Sequence, residues 1–312
     1  MRRTLKVKFV DLCSNPHEAI EDTIKVLSRH YDVVMSDEPE VLFFTGFGTE
    51  NRKYHCTKIY YTGENIRPPL FLCDFAFSHD YLESDRHHRL PHYALYRYIP
   101  KLAPKDPDAI RERWVEKSRF CTFVVSNPAC QRRIDFFHKL SEYKQVDSGG
   151  RHLNNIGGPV KDKHEFVRSG KFNICFENSS FEGYTTEKLT DAMQCETVPI
   201  YWGNPLVHRE FNVRSFINVH DYDNDNNVID EIARLDKSDA DLLAIMEEPW
   251  FEGNVLPEAI RPEFIADLLQ RVIERGPLKR SASERVQALA YHAEKDARAF
   301  ARGVRAKARA LR

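Results

Sequence analysis

The first third of the chain alternates short apolar runs with one amphipathic stretch. Residues 5–10 are rich in β-branched and aromatic side chains and predict a strand. Residues 17–29 follow with Ala19, Ile20, Ile24 and Leu27 at spacings that mark one face of a helix. Residues 31–35, 41–45, 58–62 and 70–75 are further short runs bounded by turn formers, and each predicts a strand. Strands interleaved with helical segments imply a parallel α/β sheet.

The pattern breaks over residues 91–117. Pro100, Pro104 and Pro107 stand among Lys101, Lys105, Asp106 and Asp108, which reads as a linker. A second α/β unit then opens with the apolar run 120–126. It continues with a strand at 172–177, a helix at 186–194 and strands at 198–202 and 216–219. The expected division is 1–117, 118–280 and a terminal segment 281–312. Two α/β domains imply a ligand cleft between them.

The terminal segment predicts one helix. Val286, Leu289, Ala293, Ala297, Phe300, Val304, Ala308 and Leu311 form an apolar seam at spacings of three and four. From Arg298 onward its charges are purely basic: Arg302, Arg305, Lys307, Arg309 and Arg312 follow. Two readings are open, peripheral contact with an anionic membrane or packing on the protein with the arginines solvated.

Composition narrows the function classes. The net charge of the 312-residue chain is −1, so no overall field draws it to nucleic acid. No apolar run reaches the roughly 20 residues of a membrane-spanning helix, and the basic start Arg2-Arg3 is followed by no signal-peptide core. The seven cysteines are scattered without a C-x-x-C, which predicts reduced thiols rather than a disulfide framework or a zinc site. The expected location is the cytoplasm, with membrane association if the terminal helix binds lipid.

The chemistry concentrates between residues 171 and 203. A buried strand ends at Glu177-Asn178, a polar loop follows, and Thr185-Thr186-Glu187-Lys188 opens a helix. Thr186 is a candidate N-cap, and the helix start offers free N–H groups and partial positive charge. Lys188 adds a full charge, which makes a seat for phosphate. Glu187 is suited to sugar hydroxyls. An ordinary capped helix would present the same residues.

The run Phe176-Glu177-Asn178-Ser179, then Tyr184-x-Thr186-Glu187-Lys188, then Pro199-Ile200-Tyr201-Trp202-Gly203 resembles the signature of the α1,3/α1,4-fucosyltransferases. Tyr61-Thr62-Gly63-Glu64-Asn65 resembles the catalytic loop of bacterial members. Ser126-Asn127-Pro128 with Arg132-Arg133 resembles the start of their donor domain, and Phe216-Ile217-Asn218-Val219 their following strand. The likeness spans residues 60–222. Thr185 departs from it, standing where members carry an aliphatic residue, a change expected to affect packing.

The resemblance implies two facing Rossmann-like domains of the GT-B glycosyltransferase type with a C-terminal helix. It implies an inverting transfer of L-fucose from GDP-fucose to the 3-hydroxyl of a GlcNAc-containing acceptor. It implies Glu64 as general base, Arg133 and Lys188 on the diphosphate, and Glu187, Asn178 and Tyr184 on nucleotide or fucose. Glu177 is open to a structural role instead, and Arg132 is the alternative to Arg133. Gly149-Gly150-Arg151 offers a turn whose amides could meet phosphate. No cofactor and no metal are expected. Asp221-Tyr222-Asp223 has an Asp-x-Asp form but runs into Asn224-Asp225-Asn226-Asn227, which reads as a solvated turn. His87, His88 and His92 read as part of a charged, solvated or acceptor-facing loop. A same-fold enzyme for another nucleotide sugar and a non-catalytic carbohydrate-binding protein are the alternatives.

Overall fold

The computed structural model describes residues 2–13, 16–99, 102 and 104–310, and the side chains of 302–310 are outside the description. The chain divides into two compact units, one of Met1–Ser78, Leu82–Leu90 and Arg261–Arg312, the other of His79–Tyr81 and Pro91–Ile260.

The first unit is built on six parallel strands: β1 (Arg3–Val10), β2 (Tyr31–Met35), β3 (Val41–Phe44), β4 (Thr57–Tyr61), β5 (Phe75–Ser78) and β6 (His87–Arg89). Their order is β2-β1-β3-β4-β5-β6, every pair parallel. All four residues of β3 are buried, as expected of a strand covered on both faces. The first helix, α1 (His17–Leu27), buries Val26 and Leu27.

The second unit carries α2 (Pro107–Arg113), β7 (Arg119–Phe123), α3 (Gln131–Tyr143), β8 (Val146–Ser148), α4 (Lys163–Arg168) and β9 (Gly170–Ile174). It continues with α5 (Glu187–Gln194), β10 (Val198–Tyr201), β11 (Ile217–Asn218), α6 (Asp225–Leu235) and α7 (Asp239–Glu247). Its strand order is β11-β10-β9-β7-β8, again all parallel. Counted within the unit that is 5-4-3-1-2, a doubly wound order whose switch point lies between β7 and β9. Phe136 packs against Phe176 with tilted rings at 4.7 Å, and Phe120 meets Phe172 edge-on at 5.5 Å, both within the core of the sheet.

The unit boundaries differ from the expected division. Residues expected as linker belong to the second unit: Ile110 is buried in its core, Arg113 pairs with Glu196, and Lys117 Nζ donates to Arg168 O at 2.7 Å. Of that linker, residues 100, 101 and 103 lie outside the described ones. Conversely α8 (Pro262–Arg275) returns to the first unit and packs on α1, burying Ile265, Leu269, Val272 and Ile273 along one face. Both departures have one cause. Packing partners far apart in sequence outweigh local proline and charge content.

Two local expectations also change. The strand expected at 70–75 begins only at Phe75, because Pro68-Pro69 sets a turn in which Leu72 N donates to Pro69 O at 2.8 Å. His87 and His88 lie in β6 rather than in a solvated loop. His87 is buried, bonds Ser78 Oγ at 2.9 Å, and burial pushes its imidazole down to about 4.

The terminal helix, α9 (Ala282–Ala310), packs on the first unit by a different face from the expected seam. Ala288 and Tyr291 rest on the cluster of Val10, Leu42, Phe44 and Tyr60. Lys295 Nζ donates to Gly46 O at 2.7 Å, and Glu284 pairs with Arg86 at 2.7 Å. Val286, Leu289 and Phe300 are 65%, 71% and 76% exposed, so the seam faces away from this packing. Its continuation through Val304, Ala308 and Leu311, with the basic residues 302–312, lies outside the described side chains. Among the described residues no helix is long and apolar enough to cross a membrane, and no disulfide joins the cysteines.

Candidate functional site

In a doubly wound sheet the segments leaving the carboxyl ends of the strands diverge at the switch point and open a crevice. In the second unit these are the loop after β7, leading into α3, and the loop after β9, leading into α5. Arg133, on the first turn of α3, is 3% exposed. Its guanidinium donates to Asn127 O at 2.8 Å, Asn178 Oδ1 at 3.2 Å and Phe176 O at 3.4 Å, tying the two loops together. Its Nε is buried without a partner. Burial lowers its pKa, which leaves a guanidinium charged at neutral pH.

Arg132 points in a different direction, since adjacent helical residues lie about 100° apart. It takes Asp225 with both Nη atoms, at 2.8 and 2.5 Å, and lies over the rings of Phe176 and Trp202. The neighbour of Arg133 is therefore committed to structure.

At the other wall, Thr186 caps α5. The strand expected to run to 177 ends at Ile174, and Glu177, three residues beyond β9, is fully buried beneath Thr186. Its two oxygens accept from Thr186 N at 2.6 Å, Thr186 Oγ1 at 2.7 Å and Lys188 Nζ at 3.0 Å. Lys188 Nζ also donates to Thr186 Oγ1 at 2.9 Å. Burial works against the Lys188 ammonium, but the charges of Glu177 and Glu187 outweigh it and raise its pKa above the ordinary lysine range. Glu187 Oε2 bonds His92 Nδ1 at 2.8 Å. Burial pushes the Glu187 carboxyl up, and the His92 bond and the Lys188 charge overcome that and hold it well below the carboxylate range. A cavity of about 30 Å³ is lined by Arg133 from α3, Lys163 from α4 and Lys188 from α5, so three cations converge on one small volume.

Of the expected donor residues, the fold thus brings Arg133, Asn178, Glu187 and Lys188 to one place. Tyr184 is buried below them, edge-on to His79 at 5.2 Å. Gly183 before it has φ +82°, and a side chain there would overlap the carbonyl of His79. Thr185 is more than a packing change: its hydroxyl meets Asn204 Nδ2 at 3.1 Å and Glu210 Oε1 at 3.3 Å in a buried polar network. The amide of Gly149 is already bound to Phe123 O at 2.9 Å, and a side chain on Gly150 would overlap the backbone of Val125. Close packing therefore accounts for that glycine pair.

Glu64 lies in the first unit, exposed on the turn beyond β4, its amide bound to Thr62 Oγ1 at 3.1 Å. Asp221 accepts from Asn218 Nδ2 at 2.8 Å, and Asn224 caps α6. Among the described residues no three His, Cys, Asp or Glu side chains are grouped to hold a metal.

Sequence reasoning missed three features. Lys163, paired with Asp191 at 2.6 Å, stands in a run of charges that reads as an ordinary turn. The His92–Glu187 pair joins residues 95 positions apart. Glu177 was visible only as a carboxylate at a strand end; Gly203 was its one available signal, since a Cβ there would strike the Glu177 side chain.

Two parallel doubly wound units with a cationic crevice at one switch point define a GT-B glycosyltransferase architecture. Two family models match the chain: the α-(1,3)-fucosyltransferase FucT N-terminal domain over residues 7–96 and the glycosyltransferase family 10 (fucosyltransferase) C-terminal region over 114–247. The chain belongs to this α1,3-fucosyltransferase family. An α-(1,3)-fucosyltransferase FucT of Helicobacter pylori is 33% identical over 248 residues, covering 67% of this chain and 52% of that protein. A putative fucosyltransferase of Acanthamoeba polyphaga mimivirus is 28% identical over 187 residues, 55% of this chain and 29% of that one. The chain therefore spans about half the length of the first relative and less of the second. A crystal structure of an α1,3-fucosyltransferase with GDP-fucose superposes with a TM-score of 0.74 and 26% identity, covering 88% of this chain and 91% of the other.

Proposed function

We propose that the chain transfers L-fucose from GDP-fucose to the 3-hydroxyl of a GlcNAc residue, with inversion at the anomeric carbon. The convergence of Arg133, Lys163 and Lys188 on one cavity at the switch point is the observation that carries the reading. An inverting displacement needs a base for the acceptor proton and positive charge for the departing diphosphate. Glu64 supplies the base: its carboxylate takes the 3-hydroxyl proton as the oxygen bonds to the anomeric carbon and the bond to the β-phosphate oxygen breaks. Arg133 and Lys188, with the N–H groups at the start of α5, take up the charge on GDP. Glu187, held ionised, accepts from ribose hydroxyls, and Asn178 and Tyr184 complete the donor site.

The test is an acceptor array with GDP-fucose and other sugar nucleotides, followed by linkage analysis of the product. Fucose α1,3-linked to GlcNAc is expected; transfer from a different sugar nucleotide, or binding without turnover, overturns the reading. The protein's own cations supply the leaving-group charge, so turnover is expected to survive exhaustive EDTA. Loss restored by manganese would assign that charge to a metal.

A further inference from the structure

We propose that Glu177 is a positioning residue for the donor diphosphate, holding the Lys188 ammonium aimed into the cation-lined cavity. The proposal rests on the donor site described above and adds to it the group that sets its geometry. An ammonium has three N–H directions. Glu177 Oε2 at 3.0 Å and Thr186 Oγ1 at 2.9 Å take two, and Glu187 Oε1, at 4.0 Å, is beyond hydrogen-bond reach. The third direction is left for an oxygen of a ligand.

Glu177 is itself held on several sides. It is fully buried, its other oxygen binds Thr186 N at 2.6 Å, and its amide donates to Trp202 O at 2.8 Å. Gly203 leaves the space its side chain fills. One carboxylate thus fixes the cap of α5 and the direction of Lys188 together. A lysine on four rotatable bonds otherwise loses rotamer entropy on being held by a ligand; here that loss is taken in folding.

Glu177 also keeps the lysine charged. The charged or titratable groups around Lys188 are Glu177 and Cys175 beyond β9, Glu187 (bound to His92) and Asp191 on α5, and Tyr184. Arg133 on α3 and Lys163 and His164 on α4, the latter two against Asp191, complete the set. Burial lowers the lysine and Glu177 is the largest group raising it. Without Glu177, the burial that disfavours the Lys188 ammonium loses its largest counterweight.

The experiment is calorimetric titration of GDP into wild type, Glu177→Gln, Lys188→Met and the double variant from pH 6 to 10. In wild type the affinity should show no alkaline limb from Lys188 below pH 10. In Glu177→Gln it should fall about tenfold or more at pH 7 and acquire an alkaline limb at lower pH than in wild type, since burial then acts on Lys188 without its largest counterweight. In the double variant it should match Lys188→Met alone, since Glu177 acts through Lys188. An unshifted pH profile in Glu177→Gln, or additive losses, overturns the proposal while leaving the donor site in place. Absence of GDP binding by wild type overturns the donor site itself. If Glu177→Gln does not fold, Glu177→Asp serves: it keeps the charge, withdraws the oxygens by one methylene, and should weaken GDP without moving the pH profile. Unchanged affinity in Glu177→Asp would equally sink the proposal.

Discussion

At the switch point of the first sheet the loop after β1 meets the loop after β3, and the group placed there is a carboxylate. Asp11, at φ +57°, accepts from Glu50 N at 2.8 Å, Asn51 N at 2.9 Å and Asn51 Nδ2 at 2.7 Å. Lys295 of α9 is bound to the nearby Gly46 carbonyl. The second sheet has the same local strand order, yet its switch point gathers Arg133, Lys163 and Lys188 around a cavity. The amides at the first crevice are occupied by the protein's own anion, whereas the second presents cations with donor capacity to spare. Shared topology places a crevice in each unit. Side-chain charge sets the two apart: a carboxylate fills one, and cations line the other.

That contrast can be broken most sharply at Glu64. Glu64→Gln should lower turnover by roughly 10²–10⁴, the usual worth of a general base, with GDP affinity unchanged by calorimetry. A loss of GDP affinity would show the first unit sharing in donor binding. Arg133→Ala and Lys188→Ala should each weaken GDP by about tenfold to a hundredfold, one charge-assisted hydrogen bond of about 1.5–3 kcal/mol. Arg132→Ala should leave affinity near wild type, because its guanidinium is spent on Asp225. Equal losses at 132 and 133 would remove the assignment of the cavity.

Smaller effects are expected in the first unit, and they should appear in stability rather than binding. Asp11→Ala leaves three donors without their acceptor, a cost of about 1–3 kcal/mol in denaturant unfolding, with GDP affinity intact. A fall in GDP affinity without loss of stability would show that both crevices bind the donor.

The last test is pH. His87 folds with its imidazole down at about 4, against an unfolded value near 6.5. The unfolded chain therefore binds the extra proton first as pH falls. Stability contributed at neutral pH is lost progressively from about pH 6.5 to pH 4, up to about 3 kcal/mol. A His87→Gln variant should show a flatter stability profile across that window, and an identical slope would mean that other groups set it.

Much of the second unit was legible along the chain because it depends on neighbours in sequence. Thr186 caps α5 through Lys188 N, two residues on, and the strands at β9 and β10 follow runs of apolar residues that need only local preference and burial. That Arg132 and Arg133 point in different directions follows from helical geometry alone. Only the tertiary structure decided the rest. The passage of α8 back to the first unit, the capture of 104–117 by the second, and the exposure of Val286, Leu289 and Phe300 on α9 all depend on surfaces that meet after long chain excursions. So do the pairing of His92 with Glu187 and of Glu177 with Lys188, across 95 and 11 residues. Hydrophobic periodicity records that a face is buried but not against what. A charged residue reads alike whether it will be solvated or buried with a counter-ion, because that choice is made by desolvation, which exists only once the partners have folded together.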